Sequence, residues 1–156
     1  MRRTTSRRAL IAGGIGTALL GGFSLGRTQN PEQNSHSTPV VTCTVGMITD
    51  VAKNIGGEHF TFGGLMGAGI APHLYKPSAG DIVRLGDADL ILYGGLHLEG
   101  RMTETLETIH NSGQVRTRAV SESIPTDRLI PVSETSWDPH VWFDVSLWTI
   151  VAETIT

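Results

Sequence analysis

From Pro39 onward, apolar positions fall into short runs of two kinds that take turns along the chain. Val40-Val41-Thr42-Cys43-Thr44-Val45 is largely β-branched, the mark of a strand, and Met47, Ile48, Val51 and Ile55 then recur at helical spacing. Gly56-Gly57 ends that helix, because glycine takes a left-handed cap without a Cβ penalty. His59 to Met66 reads as a second strand and leads into a loop punctuated by Pro72 and Pro77. Ser78 offers an N-cap, and Asp81 three residues on completes a capping-box-like pair, so the next helix should run to about Gly86. Asp89 to Tyr93 is a short, almost wholly apolar run of the kind buried in a parallel sheet, closed by Gly94-Gly95. Glu99 to Asn111 is a helix with Met102, Leu106 and Ile109 on one face, and Val115 to Val120 is a fourth strand. A long connection, Ser121 to Trp137, and a last helix, Asp144 to Ile155 with Asp144 as its N-cap, complete the pattern.

Strand and helix therefore alternate four times. That rhythm predicts an α/β fold, a doubly wound and mostly parallel sheet with helices on both faces, in which ligands bind at the carboxyl ends of the strands. No fixed-period repeat, low-complexity tract or histidine-rich segment interrupts it.

The start of the chain is different. Residues 1–26 carry a basic beginning and then a weakly apolar, glycine-rich run from Ala9 to Leu25, the pattern of an export signal. Ser6-Arg7-Arg8-Ala9-Leu10-Ile11 resembles the twin-arginine type. Diluted by glycine, the run is short of the roughly 20 mostly apolar residues of a spanning helix, so a signal is the favoured reading over a retained anchor. Residues 27–38 are a polar linker in which His36 should be solvated, and 39–156 form the domain. Either way the domain belongs outside the cytoplasm, in the periplasm or on the outer face of the membrane.

Charge changes the picture once the leader is set aside. The whole chain is formally −3, but five arginines and no acid lie in the first thirty residues, which leaves 7 basic against 15 acidic residues, about −8. A field of that sign argues against nucleic acid as a partner and is compatible with cations. The one cysteine, Cys43, excludes an internal disulfide or a cysteine zinc cluster and reads as a small apolar strand residue. A lipoprotein anchor needs a cysteine directly after the leader, and Cys43 lies well beyond it.

Two histidines carry the candidate chemistry. His73, in Ala71-Pro72-His73-Leu74-Tyr75, follows the second strand, and His140, in Asp138-Pro139-His140-Val141-Trp142, follows the last extended stretch. Both should emerge on the strand-end rim. Neutral imidazole is a common zinc ligand, and the proline before each histidine restrains its loop. On the residues alone, two loop histidines making ordinary hydrogen bonds remain the competing reading.

The runs APHLYKPSAGD, ADLILYGGLHLEGRM and DPHVWFDVSLW, in that order, resemble the TroA-type metal-binding solute receptors of zinc and manganese ABC importers. The resemblance covers Pro39 to the last residue. It implies an exported, non-enzymatic receptor of two α/β lobes joined by a rigid helix, closing on one divalent metal, zinc or manganese, and delivering it to a membrane permease driven by an ATPase. On that resemblance His73 and His140 are the first two ligands, while a histidine or glutamate and an aspartate come from a second lobe. The chain then corresponds to the first lobe alone, a truncated form.

The remaining polar residues have plainer accounts. His97 is expected beside the site or on the surface, Glu99 in a helix's first turn where the dipole favours an acid, and His110 at a helix end near carbonyls or solvent. Asp138 and Asp144 are hard oxygen donors in principle, and Tyr75 and Trp142 should pack the loops. A zinc hydrolase is the alternative class, but no HExxH-like motif supports it, and a surface adhesin of the same family finds no mechanism in these residues.

Overall fold

A computed structural model describes residues 38–156, so the expected export signal and nearly all of the linker lie outside the described residues. Four strands, β1 (Val40–Cys43), β2 (Thr61–Gly64), β3 (Leu90–Tyr93) and β4 (Arg116–Ala119), form one wholly parallel sheet in the order β2-β1-β3-β4. Its helices are α1 (Gly46–Gly56), α2 (Ala79–Gly86), α3 (Thr103–Ser112) and α4 (Val145–Ile155).

Register explains how each face is covered. Val41, Phe62 and Leu90 are aligned, so they share one face, on which Ala52 and Ile55 of α1 and Ile155 of α4 surround the same apolar hollow. The opposite face carries Thr42, whose hydroxyl reaches the Arg84 carbonyl of α2, and Thr117, bonded to His110 of α3. Helices thus lie on both faces, and the sheet is doubly wound. The chain runs from β1 out to β2, returns past β1 to β3, and continues to β4, which places the reversal between β1 and β3.

The core condenses on the two central strands, where Cys43 and Ile91 are fully buried with Ile48, Leu85, Leu106 and Val151 packed from the helices. Ile48, Thr49 and Ala52 form the buried stripe of α1, while Ile55, expected on it, is partly open. Gly57, at φ 54, closes α1 as the glycine pair predicts, and α2 ends at Gly86 behind a complete Ser78/Asp81 capping box.

The long connection before His140 contains a short hairpin. Pro131–Ser133 (β5) and Ser136–Trp137 (β6) pair antiparallel, and the Ser133 and Ser136 hydroxyls bond at 2.6 Å. No helix among the described residues is long and apolar enough to cross a membrane.

Candidate metal centre

The loop bearing His73 is fixed at both ends. Beyond β2, the Leu65 and Met66 amides still donate to the Cys43 and Thr44 carbonyls, and a single 3-10 turn, Pro72–Leu74, with proline in its first position, presents His73. Downstream, the Tyr75 hydroxyl donates to Asp81 Oδ2 at 2.7 Å, and the same oxygen accepts the Ser78 amide and hydroxyl at 2.8 Å each. Arg84 binds the other oxygen. Burial pushes the Asp81 carboxyl up, but the bonds from Tyr75, Ser78 and Arg84 outweigh it and hold the group down at about 2. The capping box thereby also staples the His73 loop to the start of α2.

His140 follows β6 and is held by its own neighbour. Asp138, whose amide donates to the Ile130 carbonyl, accepts the His140 backbone N–H at 2.9 Å and reaches Nδ1 at 2.5 Å. These two bonds, the backbone one first, depress the Asp138 carboxyl below the usual range. An ionised carboxylate can only accept, so the His140 proton resides on Nδ1 and the Nε2 lone pair points outward. Trp142 meets the imidazole edge-on, with ring centres 5.2 Å apart. Asp144 caps α4, accepting from Ser146 and Leu147, as the sequence indicates.

These two loops, 67 positions apart, bring the histidines together: His73 Nε2 lies 3.4 Å from His140 Nε2. Among the described residues no third His, Cys, Asp or Glu joins them. His97 is exposed and lines a separate hollow with Tyr93, Glu122 and Trp137. His110 is exposed near the end of α3, as expected, and its Nδ1 bonds the Thr117 hydroxyl at 2.6 Å in place of a helix carbonyl. Cys43 is buried, and desolvation pushes its thiol up to about 11 despite the Thr49 bond.

Glu99 is the largest departure from expectation. It lies just before the Gly100–Met102 turn and not in a helix's first turn; it is 1% exposed, at the reversal between β1 and β3, and accepts the Thr44 hydroxyl at 2.6 Å and the Gly94 amide at 2.7 Å. Burial raises its carboxyl despite those bonds. The signal present in the sequence is a lone acid in the otherwise uncharged run Gly94 to Gly100.

The model of the family described as "Zinc-uptake complex component A periplasmic" matches residues 41–156. The chain belongs to that family. Among curated relatives, the manganese-binding lipoprotein MntA of Bacillus subtilis is 48% identical over 116 residues, and the zinc-binding protein TroA of Treponema pallidum is 50% identical over 111. Those alignments cover 74% and 71% of this chain but 37% and 35% of the relatives, so the chain spans little more than a third of their length. The structure of the periplasmic zinc-binding protein TroA from Treponema pallidum superposes with a TM-score of 0.73 at 46% identity, over 76% of this chain and 42% of that one. The TroA-type resemblance carried by the three sequence runs is thus matched by family, relatives and fold.

Proposed function

We propose that this chain provides the metal-gripping first lobe of an exported receptor that captures zinc or manganese for an ABC importer, with His73 and His140 as ligands. The observation that carries the reading is the 3.4 Å separation of the two Nε2 atoms. Two nitrogens bound to one tetrahedral zinc at about 2.05 Å stand about 3.35 Å apart, whereas a direct hydrogen bond would draw them to about 3 Å. Asp138 behind His140 completes the carboxylate–histidine arrangement that fixes tautomer and ring direction in metal sites.

Two imidazoles with water make a partial cage, so the purified chain is expected to bind zinc at about micromolar affinity or weaker. Zinc should outcompete manganese on these nitrogen donors alone. Calorimetric titration with zinc chloride tests the site: His73→Ala and His140→Ala should each weaken binding by about tenfold or more. Parent-like binding by both variants would sink the assignment.

Asp138→Asn gives a finer check. Asparagine keeps the shape but can present its NH2 group to Nδ1, so the tautomer is no longer enforced, and zinc affinity should fall by about 10–100-fold with the fold retained. An unchanged titration would remove Asp138 from the site.

Delivery is part of the same proposal. Family relatives named as lipoproteins and periplasmic proteins support export, here through the twin-arginine-like segment in residues 1–26, and a permease with its ATPase as the receiving partner. The remaining donors would come from a second lobe, as the family resemblance implies.

A further inference from the structure

We infer that Glu99 is a positioning residue for His73, acting through the backbone of Gly100; the inference rests on the metal reading above. Its carboxylate ties together the ends of the two strands that flank the sheet's reversal, through Thr44 after β1 and the Gly94 amide after β3, with the Gly95 amide at 3.4 Å from the second oxygen. Its own carbonyl accepts the Met102 amide at 2.7 Å.

The loop these bonds enclose needs such a restraint. Gly95, Leu96 and His97 all have positive φ, at 80, 51 and 61 degrees, and for Leu96 and His97 that conformation persists only where the surroundings over-determine it. Immediately after Glu99, the Gly100 backbone abuts the His73 peptide: a Cβ at Gly100 would stand 3.1 Å from the His73 carbonyl oxygen and 3.8 Å from its Cα. A shift of Gly100 is therefore passed directly to the His73 backbone. His140 is held by Asp138 and Trp142 instead, so the two ligands have separate supports.

Zinc titration of the parent, Glu99→Ala, Glu99→Gln and Gly100→Ala, each with a melting curve, tests this. Glu99→Ala should weaken zinc binding by about two- to thirtyfold, the range for residues that act without touching the ligand. Glu99→Gln, which retains an acceptor for Thr44 and Gly94, should lose less. Gly100→Ala, an exposed position that leaves the core intact, should also weaken binding, and its loss should not add to that of Glu99→Ala because both pass through one contact. The loss from Asp138→Asn should add in full. Parent affinity in folded Glu99→Ala, or in Gly100→Ala where Glu99→Ala does not fold, overturns the inference even if melting temperatures fall. His73→Ala with parent affinity removes the metal reading and this inference together, whereas loss in His73→Ala alone, with Gly100→Ala unaffected, removes only this one.

Discussion

Asp81→Ala is expected to destabilise the fold by about 2–4 kcal/mol, among the largest effects of any polar substitution in the chain. The carboxylate is 2% exposed and takes bonds from Tyr75, Ser78 and Arg84. Alanine leaves those donors without their acceptor and opens the capping box at α2 together with the hold on the His73 loop. Urea unfolding should show a lower midpoint with an unchanged slope. Acid provides an independent check on the same group. The carboxyl sits at about 2 in the fold against about 3.9 in an unfolded chain, so its contribution is full above pH 4 and disappears as pH falls towards 2. Asp138 and Asp144, also depressed, act in the same sense, while Glu99, raised by burial, acts in the opposite one. Asp81→Ala should flatten the loss of melting temperature between pH 4 and 2; a slope equal to the parent's would show that other carboxylates govern acid unfolding.

The second large effect belongs to the sheet. Ile91→Ala, at a fully buried position in β3 between β1 and β4, is expected to cost about 2–5 kcal/mol, since the surrounding side chains cannot collapse into the space. Val132→Ala, on the exposed hairpin strand at 69% exposure, should stay within about 0.5 kcal/mol. Comparable midpoints for the two variants would mean that the core is not centred on β3.

Features set by neighbours in sequence are legible from the residues alone. Ser78 and Asp81 are three residues apart, which is why the start of α2 and its end at Gly86 could be read, and Asp144 announced α4 in the same way. Alternating strand and helix runs specified the doubly wound sheet, and a position after a strand put His73 and His140 on loops. Their 3.4 Å meeting was accessible only through the family resemblance, because nothing within either loop encodes the other. Glu99 was misread because its partners Thr44 and Gly94 are brought together by strand order, and because Leu96 and His97 take an uncommon backbone that turns the acid inward. The β5–β6 hairpin was missed for want of alternating apolar residues; it is held by short-range hydroxyl and amide bonds instead. His110 is exposed at its helix end as expected, but its bond to Thr117 is another pairing across elements.

Cys43 lies inside β1, with no exposed surface and a thiol that burial keeps protonated at ordinary pH. As the chain's only sulfhydryl it is a built-in clock for core opening: its side chain lies under α1, whose Thr49 bonds it, so a thiol reagent reaches it only when that helix layer lifts from β1, and its modification rate reports that opening without any engineered label.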